Sequence, residues 1–211
     1  MDESFRVRAR TARAEIQAGL LRGPALLERL RVIPFVDRDV WIDEVLGIEP
    51  PPPDVADLPR GAVPYLPCGV DEIVAMVRDV PVRADHQLVD LGAGLGRVVI
   101  LAHLLTNARA RGIEIQEPLV RAARRCSAAL RLDGVAFEHA DAADEAVALD
   151  ASLFFLYAPF NGGMLGRVLG RLGRVAERRP IVVCAVGMEL DEPWLVERAR
   201  SSRALTIFDS R

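Results

Sequence analysis

Strand and helix signals that alternate from residue 87 onward predict an α/β protein with a mostly parallel sheet covered on both faces. Two observations carry that prediction. Short apolar runs recur with helical periodicities between them, and parallel strands need such crossovers. Glycines at 92, 94 and 96 follow directly on the first apolar run, in Gln-Leu-Val-Asp-Leu-Gly-Ala-Gly-Leu-Gly-Arg (87–97). That is where a strand turns into a helix beside a ligand in sheets of this type. The composition agrees, with 51% hydrophobic and only 5% aromatic residues, as expected where strands are covered on both sides.

Residues 1–31 hold seven Arg against four acidic residues, with Ile16, Leu20, Leu26, Leu27 and Leu30 at loosely helical spacing. They are expected to form a solvated helix face packed on the domain; a basic arm that touches nucleic acid is the alternative. Asp37-Arg38-Asp39 then precedes Val40, Trp41, Ile42, Val45 and Leu46, a short amphipathic helix with Gly47 as its stop. The run Glu49-Pro50-Pro51-Pro52-Pro53-Asp54 must be extended, because proline fixes φ and disfavours helix in the residue before it. The boundary between a helical N-terminal extension, 1–60, and a core, 61–211, is placed there. Val70, Ile73, Val74 and Val77 then follow the i, i+3, i+4, i+7 pattern of a helix.

In the core, strands are expected over 88–91, 111–115, 135–139, 153–157, 181–186 and 205–208. A helix over 95–105 opens from the glycine turn. Another starts near Pro118, where the missing N–H costs nothing. A third shows its face in Leu165, Val168, Leu169, Leu172 and Val175.

A chain of 211 residues suffices for one substantial domain plus a short extension. The net charge of −3 lacks the field of a general nucleic-acid binder, so a nucleic-acid partner is disfavoured. All 27 basic residues are arginine, which a GC-rich codon bias explains as well as anion recognition does. Cys68, Cys126 and Cys184 stand far apart, in neither a disulfide nor a zinc spacing, and are expected to be small buried hydrophobes. Charges at Asp2, Glu3, Arg6, Arg8 and Arg10 leave no secretory leader visible, and no apolar run is long enough to span a bilayer. The expectation is a cytoplasmic protein with no membrane partner.

The glycine turn has three possible ligands. A triphosphate loop needs lysine, and the chain has none. A dinucleotide fingerprint counted from Gly92 needs glycine at 97, where Arg97 stands. The spacing is instead D-x-G-x-G-x-G, with Asp90 at the entrance. A carboxylate there repels a pyrophosphate and suits an ammonium. Glu114 falls 22 residues beyond Gly92, where one carboxylate accepts both ribose hydroxyls of a nucleoside. Asp141 ends the third strand, where an acceptor meets an exocyclic adenine amine. Ribose, adenine and an ammonium without phosphate describe S-adenosylmethionine.

With VDLGAGLGR (89–97), GIEI (112–115), HADA (139–142) and LYAPF (156–160) in order, the chain resembles the class I S-adenosylmethionine-dependent methyltransferases over about residues 65–210. The resemblance implies a three-layer αβα Rossmann-like fold, with strand order 3-2-1-4-5-7-6, strand 7 antiparallel, and the last pair near 194–197 and 205–209. It assigns Asp90, Gly92, Gly94 and Gly96 to the methionine portion, Glu114 to the ribose and Asp141 to the adenine. Ala93 and Ala142 join them as cofactor-contacting positions. A strand-end carboxylate such as Glu114 is expected to be exposed without ligand.

The fourth strand end faces the methyl group in this family. Many amino-methylating relatives have Asn/Asp-Pro-Pro-Tyr/Phe there, and Tyr157-Ala158-Pro159-Phe160 departs at the first two positions. That argues against amide-like or nucleobase nitrogens as acceptor. Tyr157 either orients or deprotonates an acceptor, or simply packs. Val63-Pro64-Tyr65-Leu66-Pro67 is similar to the Tyr-x-Pro stretch of small protein-lysine methyltransferases, which makes Tyr65 a second candidate; a proline-stiffened connector is the plain alternative. His103 reads as structural and His139 as a neighbour of the adenine. No histidine joins a catalytic set or a metal spacing, and metal-dependent relatives place an acidic residue where Tyr157 stands.

The reading is a methyltransferase acting on a protein side chain or a small molecule, with residues 1–60 as a cap over the acceptor site. A catalytically silent S-adenosylmethionine-binding partner subunit and a nicotinamide oxidoreductase are the alternatives. Cofactor binding separates the last from the others, and turnover separates the first two.

Overall fold

The computed structural model describes residues 3–200, 202 and 204–211; Met1 and Asp2, the start of the expected extension, lie outside them. Seven strands form one sheet: β1 (Gln87–Leu91), β2 (Arg109–Glu114), β3 (Val135–His139), β4 (Leu153–Tyr157), β5 (Val182–Val186), β6 (Leu195–Arg200) and β7 (Leu205–Ser210). Their order is β3-β2-β1-β4-β5-β7-β6. The pairs among β1 to β5 are parallel, and β7 runs antiparallel to both β5 and β6. This is the order and sense that the resemblance implied.

Alternation along the central strands feeds two cores. Phe155, Cys184 and Ile207 face one side, whereas Phe154, Leu156, Val183 and Phe208 face the other. Both faces are buried, so the strands read as continuous apolar runs. The second side is covered by α7 (Gly162–Ala176). The first side holds α4 (Val70–Asp79), α5 (Arg97–Thr106) and α6 (Glu117–Ala129), with Pro118 in the first turn of α6 as expected.

The N-terminal helices α1 (Glu3–Gln17), α2 (Gly23–Arg31) and α3 (Arg38–Leu46) lie outside this layer and pack onto it, α2 and α3 meeting α5. Hence every residue from Arg97 to Leu105 of α5 is buried, including those turned away from the sheet. A helix apolar on all sides needs cover on all sides, and α2 and α3 supply it. Residues from Phe5 through Leu46 share one continuous core with the sheet. Among the described residues no helix is long and apolar enough to cross a membrane.

One expected helix face is interrupted. Gly19, at φ 75°, closes α1, with the Leu20 amide donating back to Glu15 O. Leu20 is thereby left in the turn and 78% exposed. Gly47 ends α3 as expected, in the left-handed conformation that glycine tolerates.

After α3 the chain is extended through the prolines. It then crosses the carboxyl end of the sheet as a strap. Ala62 bridges Phe160, Val63 N–H donates to Pro159 O at 3.1 Å, and Asn161 N–H donates to Gly61 O at 2.8 Å.

Candidate functional site

Gly92, Gly94 and Gly96 all have positive φ, at 86°, 54° and 83°. The amides of Gly92 and Ala93 donate to Ile113 O at 2.8 and 3.1 Å, which seats the turn on the end of β2. The close approach these glycines permit is used first by the protein itself. A Cβ at 92 would overlap Pro159, one at 94 the Tyr65 ring, and one at 96 the Phe137 ring.

Asp90 and Glu114 lie at the ends of adjacent strands and are both buried. Burial, and then the charge of Glu114, raises the Asp90 carboxyl well above its ordinary range. No guanidinium opposes that shift. Glu114 is only 7% exposed, which corrects the expectation of an exposed carboxylate. The reason is local: Oε2 accepts from Gly94 N–H at 2.8 Å, and Oε1 from Gln116 N–H at 2.9 Å. Burial raises its carboxyl, and these amides pull in the opposite direction. The Ile115 amide adds to that pull, so three amides share the carboxylate's four lone-pair sites. β3 stops at His139, so Asp141 lies two residues past the strand rather than at its end. It is half-buried, and its Oδ1 accepts from Ala143 N–H at 2.8 Å.

These elements enclose a cleft of about 90 Å³ lined by strap residues 62–66, Gly92, residues 113–116, Ala140, Ala142 and residues 157–160. Tyr157 and Tyr65 line both this cleft and a smaller cavity reaching Asp90 and Arg97. Burial pushes the Tyr65 phenol up to about 12 and also raises that of Tyr157. Both phenols are therefore neutral near pH 7. Ala158, between Tyr157 and Pro159, has φ 40°, a left-handed conformation that costs a non-glycine residue about 1–2 kcal/mol. Beside Tyr65 and Arg97 a second groove is lined by Asp43, Glu44 and Glu49.

Three structural partners escaped sequence reasoning. Arg97, 6% exposed, forms a two-pronged pair with Asp43 (2.9 and 2.7 Å) and donates to Cys68 O at 2.5 Å. It bolts the glycine turn to α3. Its signal was present, since a single cation heading the apolar run RVVILAHLL must find a partner when buried. Gln116 holds the strap, as described below. Arg171 of α7, also buried, donates to Ala142 O at 2.5 Å and to Val147 O, holding the loop after Asp141.

His103 is buried and bonded to Ala108 O at 2.8 Å, a structural role as expected. His139 meets Ile115 O at 3.0 Å. All three cysteines are free and buried. Among the described residues no His, Cys, Asp or Glu group is arranged to hold a metal.

No family model and no curated protein matches this chain. Among solved structures it is similar to an RNA methyltransferase from Salinibacter ruber in complex with S-adenosyl-L-homocysteine. The two are 26% identical over 69% of this chain and 92% of that one, with a TM-score of 0.50. A mutant of MtNAS in complex with S-adenosylmethionine is 15% identical over 66% of this chain and 61% of that one, with a TM-score of 0.53. The second likeness speaks to the fold alone.

Proposed function

We propose that this chain, built on the Rossmann-like fold of the class I S-adenosylmethionine-dependent methyltransferases, is itself a methyltransferase that uses S-adenosylmethionine to modify a protein side chain or a small molecule. One observation carries the reading: Asp90 and Glu114 are buried on neighbouring strand ends, and among the described residues Asp90 makes no ion pair, since Arg97 across the small cavity is paired with Asp43. A buried carboxylate of this kind is costly until a positive group meets it. The ammonium of the methionine portion fits Asp90, and a ribose hydroxyl fits the accepting site of Glu114 that the amides of Gly94, Ile115 and Gln116 leave open. Ile115, Ala140 and Ala142 give the cleft an apolar wall for adenine, and Asp141 lies beside them for its amine. A phosphate would meet two carboxylates, so the dinucleotide alternative has no support here.

S-adenosylmethionine supplies the reactive methyl group, and the protein's task is to position the acceptor and exclude water. The strap does the second. Tyr157 and Tyr65, both neutral phenols, orient an acceptor by hydrogen bonding rather than act as phenolate bases. The groove beside Tyr65 carries the acidic Glu44 and Glu49, while Asp43 there is paired with Arg97. That charge favours a neutral or cationic acceptor over a phosphate backbone, so the RNA named for the Salinibacter protein is not carried over.

The test is cofactor binding followed by transfer. S-adenosylhomocysteine should raise the melting temperature, by the equivalent of about 2.7 kcal/mol at a hundredfold excess over Kd, and NADH should not. Labelled methyl transfer in cell extract then identifies the acceptor. A shift with NADH and none with S-adenosylhomocysteine would overturn the reading; binding without transfer would leave a silent partner subunit.

A further inference from the structure

Gln116 follows the proposed ribose carboxylate by two residues and is 3% exposed. Its backbone N–H donates to Glu114 Oε1 at 2.9 Å. Its side-chain amide faces the other way. Nε2 donates to Asp54 Oδ1 at 2.7 Å, and Oε1 accepts from Val55 N–H at 2.9 Å. Asp54 Oδ1 in turn accepts from Tyr65 N–H at 2.9 Å. One buried residue thus ties the strap at 54–55, and through Asp54 at 65, to the corner that carries Glu114.

The strap supplies residues 62–66 of the cleft wall, and the space it encloses is about 90 Å³. Small-molecule sites usually measure roughly 300–1,000 Å³. A nucleoside needs more room than this cleft gives, and the strap is the part of its wall that crosses outside the sheet. Among the bonds that hold the strap, those of Gln116 also touch the ribose acceptor.

We propose that Gln116 is a positioning residue whose side-chain amide latches residues 54–65 over the cofactor cleft, so that cofactor entry and release proceed through breaking and remaking its bonds to Asp54 and Val55. The inference rests on the methyltransferase reading for the identity of the ligand, but the latch itself is a property of the ligand-free chain. The chemistry explains the residue type. An amide can donate to a carboxylate and accept from an N–H at once. A carboxylate in its place still accepts from Val55 but repels Asp54.

The experiment compares wild type, Gln116→Glu and Gln116→Glu with Asp54→Asn. Hydrogen exchange is measured at the Val55 and Tyr65 amides without ligand, and the dissociation rate of S-adenosylhomocysteine is measured with it. Gln116→Glu should speed both by about tenfold near neutral pH. Adding Asp54→Asn lets the two side chains exchange donor and acceptor roles and should bring Val55 exchange and the dissociation rate back to within about twofold of wild type; Tyr65 N–H, which shares Asp54 Oδ1 with Gln116, should recover less. A residue that merely supports the fold would instead lower the melting temperature, raise exchange throughout α6, and gain nothing from Asp54→Asn. Unchanged exchange at Val55 and Tyr65 in Gln116→Glu, faster exchange with an unchanged dissociation rate, or absence of rescue each overturns the proposal. A wild-type protein that binds no S-adenosylhomocysteine overturns the methyltransferase reading alone, since exchange in the ligand-free chain still decides the latch.

Discussion

The ring of Tyr65 rests on Gly94, so closely that a Cβ at 94 would overlap Cε2 and Cδ2 of the ring. Because φ at 94 is also +54°, Gly94→Ala meets two penalties. The left-handed conformation costs about 1–2 kcal/mol, and the ring must move as well. Removing the ring relieves only the second. In a four-variant unfolding cycle, Gly94→Ala should therefore be less damaging in a Tyr65→Ala background, with a coupling of about 0.5–3 kcal/mol. Strictly additive costs would show that strap and turn do not bear on each other in solution.

The bolt between α3 and the glycine turn gives a stability prediction. Burial raises the Asp43 carboxyl despite the opposing pull of Arg97, so the pair is held at a desolvation cost. Such pairs add little by existing and cost much when halved. Asp43→Ala should destabilise the protein by up to about 3 kcal/mol, because the buried Arg97 keeps only its bond to Cys68 O and a longer contact to Asp39 at 3.8 Å. Replacing Arg97 and Asp43 together by apolar residues should cost clearly less. Chemical denaturation of the two variants decides; equal losses would mean that packing, not charge, makes the joint.

Much of this arrangement was visible in the sequence. Strands β4 and β5 announce themselves because both sheet faces are buried there, which leaves uninterrupted apolar runs such as Leu-Phe-Phe-Leu. β6 did not: Leu-Val-Glu-Arg-Ala-Arg is an edge strand paired only with β7, and its charges mask the pattern. The strand-end positions of Asp90 and Glu114 were legible from spacing, Asp141 was placed two residues early on the strand, and the surroundings of all three were not legible. Spacing along the chain does not reveal that Asp54 and Tyr65 close over Glu114 through Gln116. Likewise Arg97 read as a broken dinucleotide fingerprint, because its partner Asp43 lies 54 residues upstream.

Glu114 now carries a prediction that exposure would not have allowed. Glu114→Ala removes the acceptor of both the Gly94 and Gln116 amides. Each amide left buried without a partner costs about 1–3 kcal/mol. The variant should lose stability in the ligand-free state and also bind S-adenosylhomocysteine about ten- to a hundredfold more weakly. Weaker binding with unchanged stability would place Glu114 back among the exposed residues.

Asp90 should behave in the opposite sense. Its folded carboxyl is raised far above the unfolded value of 3.8, so the native state binds the extra proton. Stability from this group is then full below that unfolded value and is lost as pH rises towards the raised one. Asp90→Asn should stabilise the ligand-free protein near pH 7–8, with a gain that fades as pH is lowered through this window. It should also weaken S-adenosylhomocysteine binding by about tenfold or more, because the ammonium loses its counter-charge. Melting curves between about pH 4 and 8 would contradict this if the variant were the less stable protein at the upper end.

Tyr157 ends β4 and borders both the cleft and the cavity that reaches Asp90, which places its hydroxyl among the groups an acceptor would meet. Burial raises its phenol, so it acts as a neutral hydrogen-bonding group rather than a base. Tyr157→Phe keeps the ring and removes only that contact. Melting temperature and S-adenosylhomocysteine affinity should barely change, while turnover on the identified acceptor falls by about three- to tenfold, the loss of one neutral hydrogen bond. Because the phenol is already neutral, the wild-type pH–rate profile should show no tyrosine ionisation below about pH 9, and Tyr157→Phe should lower it evenly rather than reshape it. Tyr157→Ala is the control for packing. It should lose stability as well as turnover, by less than the roughly 3–5 kcal/mol of a fully buried aromatic, since the side chain is only half-buried. Near-wild-type turnover in Tyr157→Phe, together with a destabilised Tyr157→Ala, would make the ring a packing element and move the orienting role to Tyr65, whose ring shares both cavities.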